Sequence, residues 1–511
     1  METGYILAHD LGTSGSKATL YGADGVLRCA AVERYPTRYP QDRFVEQDPQ
    51  DWWRAVCRST RALLERAGVG PEQVLCVSFS GMMMGCLPVD ETGEALRPML
   101  LWADTRSDAQ EREMIARIGM ERGYRITGHR LSASYSAAKL LWVRDHEPEV
   151  YRHTHKILHA KDYIVHKLTG RFVTDYSDAS GTNLLDIGRK QWSQEILEAL
   201  DIPQGLLPEL HASSDVVGHV TREAAQATEL LEGTPVVIGG GDGSCACVGA
   251  GVVRPGSAYN VLGSSSWISL VSEQPLFDPQ MRTFNWVHLD ERLYTPCGTM
   301  QAAGVSYSWF RDALGGEEVR LAQEAGVSAY DLLGAQAEQS PPGANGVLFL
   351  PYLLGERSPR WDHDARGAFI GMSAATTKGD LVRAVLEGVG CNLRAILDIL
   401  RTQRPIDELT MIGGGAQGGV WLRILADIFG IPLALPRYRE EATSLGAAVA
   451  GGVGIGLYAD YSAAPRMNPV QERIQPDPAN AAAYAGLQAL FEEAYAALRP
   501  VYAHLARERR V

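Results

Sequence analysis

The 511-residue sequence lacks the features that would place it in a membrane, on a nucleic acid or outside the cell. Its longest uncharged run, Ala442 to Ala459, carries five glycines together with Thr443 and Ser444, so it reads as a buried helix rather than a membrane span. No basic block interrupts a formal net charge of -13, which would repel DNA, RNA or an anionic membrane. The N-terminus METGYILAHD has neither the basic nor the apolar region of a signal peptide. Cysteine is sparse: eight residues, at 29, 57, 76, 86, 245, 247, 297 and 391, are scattered without a C-x-x-C pair. That spread argues against a disulfide framework and against a four-ligand zinc site. The expectation is a cytoplasmic protein with no nucleic-acid or membrane partner.

Two nucleotide fingerprints are missing as well. There is no G-x-x-x-x-G-K-[ST], so a P-loop nucleotide site is excluded, and the dinucleotide fingerprint G-x-G-x-x-G is missing from the start of the first strand–helix unit. Any phosphate must be held by other backbone donors or by a metal.

What is present is ample apolar mass, 45% hydrophobic with 10 Trp and 20 Tyr, in a chain longer than one core usually serves. Two domains with a cleft between them are expected. YILAH, SKATLY and VLRCAAVERY form an N-terminal β-meander, and Asp48-Pro49 caps a helix that Gly68 stops. Strand VLCVSF leads into the loop SGMMMGC. Near residue 257 the pattern restarts, with SAYNVLG, SSS and WISLV repeating a strand, a small-residue turn and a strand. Further on come a helix from Asp380 to about Leu400, strand ELTMI, the turn GGGAQGG and helix VWLRILADIFG, which together offer a helix N-terminus to an anion. The tail from about 455 is Pro-rich, then helical from Asp477.

The stretch GGGDGSCACVGAG, residues 239 to 251, surrounds Asp242 with glycines and is open to reading as a phosphate cradle, a metal clip, a turn or a catalytic loop. HDLGTSGSK, residues 9 to 17, puts Asp10 at a strand end before a Gly-Thr-Ser turn, a pattern suited to Mg²⁺ and phosphate. Cys245 and Cys247 read as packing residues. His153, His155, His159 and His166 form a cluster in which His155 and His159 could share a helix face, without a matched carboxylate nearby in the pattern. LLWADTRS places Trp102 and Asp104 on one face of a strand, an aromatic plane beside a carboxylate that suits a polyol. The three methionines Met82, Met83 and Met84 either fill a core or line a pocket.

These pieces resemble the FGGY carbohydrate kinases, of the actin-like ATPase superfamily. SYSAAKLLWVRDH (134 to 146) and GAFIGMSAATTKGDLVRAVLE (367 to 387) are similar to the family's two signatures, and EQDPQDWW, KDYIVHKLTG, TDYSDASGTNLLD and LPYLLGERSP resemble its xylulokinase branch. The resemblance implies an α/β fold of two actin-like (ribonuclease H-like) ATPase domains closing over ATP, Mg²⁺ and a sugar: residues 1–252, 253–455 and a C-terminal helical extension, 456–511. It implies Asp242 as catalytic base, with Asp10 and Asp242 as the acids that organise the metal. Gly12, Thr13, Ser14 and Lys17 match the first phosphate loop; Gly263, Ser264 and Ser265 the second; Gly304, Ser308, Gly414, Gly415 and Gln417 the nucleotide side. Met83, Met84, Trp102, Asp104 and Asp242 match the sugar side. A homodimer is compatible with the resemblance.

The implied reaction is ATP-dependent phosphorylation of a small sugar, D-xylulose to D-xylulose 5-phosphate first, with another ketopentose, gluconate or a sugar alcohol as alternatives. A chaperone-type ATPase and a non-catalytic sugar sensor are rivals from other classes. The sequence departs from the xylulokinase pattern where SGQMHG becomes SGMMMG, at Met82 and Met84, and where Gly243 replaces the usual Asn. Each change removes a polar contact to the sugar.

Overall fold

The computed structural model describes residues 4–41 and 43–508. The expected meander is present: β1 (Tyr5–Leu11), β2 (Gly15–Gly22) and β3 (Leu27–Arg34) pair antiparallel in sequence order. Helix α1 (Pro49–Ala67) starts where the sequence places it, because the Asp48 carboxylate accepts from the Gln50 N–H and Pro49 supplies a first-turn φ. It ends at Gly68, whose φ of 63° is left-handed. Strand β4 (Val74–Gly81) then runs parallel to β1. Across the sheet β5 (Val216–His219), β6 (Pro235–Val237) and the short β7 (Gly240–Gly241) complete it, β6 and β7 both parallel to β4.

The second half repeats the opening. β8 (Ala258–Leu262) and β9 (Ser266–Leu270) form a hairpin with a three-residue tip, as β1 and β2 do, and β8 lies parallel to β12 (Leu409–Ile412) as β1 lies parallel to β4. The second sheet runs β10 (Phe284–Val287), β11 (Tyr294–Met300), β9, β8, β12 (Leu409–Ile412), β13 (Leu433–Pro436) and β14 (Val470–Ile474). This is a pair of α/β units, each built on a mixed sheet.

Two helices cross between the sheets. α4 (Asp242–Gly249) leaves the first sheet, and α9 (Ala442–Gly454) returns from the second to pack Ala447, Val449 and Ala450 with Ile6, Ala8 and Cys76. Their backbones nearly touch: a Cβ on Gly249 would lie 1.6 Å from the Ala442 carbonyl oxygen, and one on Gly446 1.9 Å from that of Cys245. Gly446 of the uncharged run therefore serves the helix crossing, and no helix among the described residues is long and apolar enough to cross a membrane. All eight cysteines are free thiols, and Cys245 and Cys247 are buried in this crossing.

The tail is more than a helix. It adds β14 to the second sheet and lays helix α10 (Ala481–Glu508) on the second core through Tyr484, Leu487, Phe491 and Tyr502. Its earlier residues Tyr461, Ala463, Ala464 and Met467 pack with Ile6, Ala8 and Tyr21 of the first sheet.

Candidate active site

The carboxyl ends of the parallel strands set two acids side by side. Asp10 on β1 is in register with Ser80 on β4, and Ser80 with Gly240 on β7, so the chain two residues past Gly240 delivers Asp242 to the same edge. The Ser80 hydroxyl donates to Asp10 Oδ1 at 2.9 Å, and the Gly243 N–H to Asp242 Oδ1 at 2.7 Å. Burial pushes the Asp242 carboxyl up to about 7, and the charge of Asp10 adds to the push; the Gly243 hydrogen bond opposes it. Asp10 is also raised by burial, against the pull of Ser80 and Lys17. At this edge desolvation and like charge outweigh the favourable N-terminus of α4.

The first hairpin tip, Gly12 to Ser14, faces this edge. The Gly12 N–H donates to the Gly15 carbonyl at 3.0 Å, the indole N–H of Trp102 to the Thr13 hydroxyl at 3.1 Å, and Ser14 is exposed. Lys17 reaches across to the second unit, donating to the Glu440 carbonyl at 2.8 Å. At the second tip the Gly304 and Ala303 N–H groups bond the carbonyls of Gly263 and Ser264. Behind it opens a cavity of about 740 Å³, walled by Gly263, Ser264, Gly304, Ser308, Gly414, Gly415 and Gln417 among others. Seven of the residues expected at the nucleotide thus share one cavity, whereas Gly12, Thr13, Ser14, Lys17 and Ser265 do not line it. Sequence reasoning missed Tyr307, Tyr330, Asp331 and Glu338 in its wall; no local motif marks them, because α5 (Gly304–Leu314) and α6 (Ala329–Gln339) bring them in from separate helices.

The methionine loop divides. Met82 is 1% exposed, belongs to the core of the first unit and donates its N–H to Leu11, so it faces away from any ligand. Met83 and Met84 join a different cluster, an aromatic cage with Tyr135, Phe284, Trp286 and Cys297, edged by the part-buried Trp102, Trp267 and Trp361. Met84 has a left-handed φ of 64°, and its carbonyl accepts from the buried ammonium of Lys139 at 2.9 Å. Met83 abuts Gly241, next to Asp242: a Cβ there would lie 2.6 Å from the Met83 sulfur.

Two expectations need correction. Asp104 is fully buried, with one oxygen taking the Val45 N–H at 2.7 Å and both taking the Arg106 guanidinium, so it has no free lone pair to offer a sugar. The strand ends at Leu100 and residues 101 to 104 turn, which separates Asp104 from Trp102. His155 and His159 do not share a helix face either: His155 precedes strand Lys156–Leu158, and His159 caps α3 (Ala160–Thr169).

The carboxylates absent from the histidine pattern arrive by folding. His159 Nδ1 meets Asp178 Oδ1 at 2.5 Å and its Nε2 meets the Ser136 hydroxyl at 2.9 Å. His159, Asp162 and Asp178 lie close enough to ligate a metal, but the Lys161 ammonium already stands among Asp162, Asp175 and Asp178 at 2.6, 2.9 and 3.3 Å. The group is an ion-pair cluster tied to the edge that carries Asp242: the Ser177 hydroxyl donates to Asp175 at 2.5 Å and accepts from the Gly241 N–H at 2.9 Å.

Paired hairpins facing one cleft, two acids at a strand edge and a glycine-walled cavity across from them define a phosphotransferase of two α/β units. The chain belongs to the FGGY family of carbohydrate kinases, matching its N-terminal domain over residues 5–249 and its C-terminal domain over 258–455. It is 36% identical to the xylulose kinase of Escherichia coli (strain K12) over 82% of this chain and 84% of that one. It is 34% identical to the xylulose kinase of Bacillus subtilis (strain 168) over 83% of each, and 29% identical to the gluconokinase of the same strain over 86% of each. Among solved structures, a gluconate kinase from Lactobacillus acidophilus superposes with a TM-score of 0.91 at 26% identity, over 98% of this chain and all of that one. The chain is a carbohydrate kinase that uses ATP.

Proposed function

We propose that the enzyme transfers the γ-phosphoryl group of ATP to the terminal hydroxyl of a small sugar, with Asp242 as general base. The observation that carries this reading is the placement of Asp242 at the strand edge beside Asp10, next to the Gly241–Met83 contact with the aromatic cage, where burial and the Asp10 charge push its carboxyl up to about 7. A carboxylate with that affinity for protons takes the hydroxyl proton more readily than an ordinary Asp as the oxygen attacks phosphorus. The proton moves to Asp242, the new O–P bond forms as the bond to the ADP oxygen breaks, and ADP leaves. Backbone N–H groups of Thr13 and Ser14 at the first tip and of Ser264 and Ser265 at the second hold the phosphates in line, which is most of what a loose transition state asks of a protein.

The acids present fit a magnesium ion: Asp10 and Asp242 are hard oxygen donors whose mutual repulsion a divalent cation relieves. When bound, Mg²⁺ supplies charge neutralisation at the β- and γ-phosphates. Asp10 stays oriented for that role through its bond from Ser80.

For the acceptor, D-xylulose phosphorylated at O5 is what the names of most relatives favour, and gluconate, another ketopentose or a sugar alcohol share the chemistry. The test is sugar-dependent ADP release with MgATP over such a panel. One or more acceptors are expected to raise ADP release well above the sugar-free rate, and Asp242→Ala to abolish the increase. A sugar-independent rate, or an unaffected variant, overturns the reading.

A further inference from the structure

Asp242 stands where the two units meet, and each unit holds one side of it. On the N-terminal side Gly240 and Gly241 of β7 pair with Ser80 and Gly81 of β4, and the Gly241 N–H donates to the Ser177 hydroxyl, so this side is fixed by the first unit. On the C-terminal side the first turn of α4 is tied to the second sheet at two successive residues. The Gly243 carbonyl accepts from the Tyr259 hydroxyl of β8 at 2.7 Å, and the Ser244 hydroxyl donates to the Val287 carbonyl of β10 at 2.7 Å. Asp242 lies between the two sets of ties.

Tyr259 is 1% exposed, and the direction of its hydrogen bonds is determined. An indole N–H can only donate, and that of Trp267 lies 3.0 Å from the Tyr259 oxygen, so the hydroxyl accepts there and gives its one hydrogen to Gly243. The hairpin itself brings Trp267 to this place: Tyr259 lies opposite Ser269 and Trp267 opposite Val261, which makes the two rings diagonal neighbours on one face. Burial holds the Tyr259 hydroxyl well above its ordinary pKa, so it remains a donor.

The tie matters because little else restrains the residue after Asp242. Gly243 has no side chain to pack, a Cβ there would meet nothing within 4 Å, and glycine has more backbone freedom to lose than any other residue. Its N–H is nevertheless the partner of Asp242 Oδ1 at 2.7 Å, the one hydrogen bond to that carboxylate among the described residues. Holding the Gly243 carbonyl therefore steadies the amide that aims the carboxylate. Tyr259 also stands on the strand that runs into the second tip, Gly263 to Ser265, so one hairpin carries a phosphate-holding turn and the group that reaches back to Asp242.

We propose that Tyr259 is a positioning residue for phosphoryl transfer: its hydroxyl, oriented by Trp267, holds Gly243 and thereby sets Asp242 against the acceptor hydroxyl from the unit that carries the second phosphate tip. This rests on the reading of Asp242 as general base and adds to it the means by which the nucleotide-side unit places that base.

Tyr259→Phe keeps the ring and removes only the tie. Steady-state rates of the full chain with MgATP and the best acceptor of the panel are expected to show kcat lowered ~10- to 100-fold, the range that a slightly misplaced reacting group produces, while the KM values for ATP and for the acceptor stay within about 3-fold. Tyr124→Phe is the control. That buried hydroxyl likewise accepts one N–H, from Asp278 at 3.1 Å, and donates to a carbonyl of the other unit, that of Thr283 at 2.9 Å, but bonds no residue adjacent to Asp242. Its kcat should stay within about 2-fold of the parent's. Were Tyr259→Phe not to fold, Trp267→Phe should lower kcat by ~3-fold or more at an unchanged KM for ATP. An unchanged kcat, a KM for ATP that rises as far as kcat falls, or an equal kcat loss in Tyr124→Phe overturns the proposal and leaves the kinase reading intact. If no acceptor raises ADP release in the parent, the general-base reading fails separately, and amide hydrogen exchange decides the tie. Exchange across residues 242–249 faster by ~10-fold or more in Tyr259→Phe and unchanged in Tyr124→Phe supports it, and equal exchange in all three proteins refutes it.

Discussion

At the level where the first hairpin carries Asp10, the second carries Val261. Asp10 pairs with Lys17 across its hairpin and sits beside Ser80 on the parallel neighbour; Val261 pairs with Trp267 and sits beside Ile412. The backbone is the same in both places, a two-stranded turn with a three-residue tip flanked by a parallel strand. Chemistry was placed on only one copy. The first edge delivers carboxylates and hydroxyls, which suit a metal and a proton. The second continues from Ile412 into Gly413, Gly414 and Gly415, and turns into a cavity of about 740 Å³. Repetition of a fold therefore predicts where phosphate can be held, and says nothing of which side does the proton transfer.

Five variants would break or sharpen that contrast. The largest effect is expected from Asp242→Ala, which should lower sugar-dependent ADP release by ~10³-fold or more, within the range that loss of a general base produces. Next, Asp10→Asn should cost ~10²-fold in kcat and raise the magnesium concentration needed for half-maximal rate, whereas Val261→Ala at the matching position should change kcat by less than about 3-fold. Steady-state rates across a magnesium titration read both; equal losses would mean the hairpins are not functionally divided.

Gly304→Ala should act on the other side. A Cβ there lies 2.5 Å from the Gly263 carbonyl oxygen, so the second tip must shift. The KM for ATP should rise ~10-fold, while the KM for the sugar stays put. The smallest effect concerns stability. The folded Asp242 binds its proton up to about pH 7, well above an unfolded Asp near the ordinary 3.8, so the native chain loses stability as pH rises between those values. Asp242→Asn removes the penalty. In the absence of nucleotide and metal its Tm should exceed the parent's by a few degrees at pH 8, with the gap closing toward pH 4.

Much of the first unit was readable because its signals are local. Asp48-Pro49 and Gly68 bounded a helix that the structure keeps, and the small-residue tips of both hairpins fell between the expected strands. Asp104 was misread for want of Arg106: a carboxylate two residues from a guanidinium is open or closed according to whether the chain turns between them, and here it turns. The histidine cluster was misread in the opposite sense. Its carboxylate, Asp178, lies 19 residues beyond His159 and meets it only when α3 packs against residues 175 to 178.

The sequence by itself determined the paired hairpins, the helix caps, the glycine turn after Ile412 and the presence of Asp10 and Asp242 at strand ends, because these depend on φ preferences, capping groups and period-two or 3.6 patterning over a few residues. Only the tertiary structure decided that Met82 is core while Met83 and Met84 join an aromatic cluster, and that Lys161 fills a would-be metal site. Those outcomes depend on which groups folding leaves without water and without a partner. Burial and pairing are set by residues far apart in the chain, so no local pattern records them.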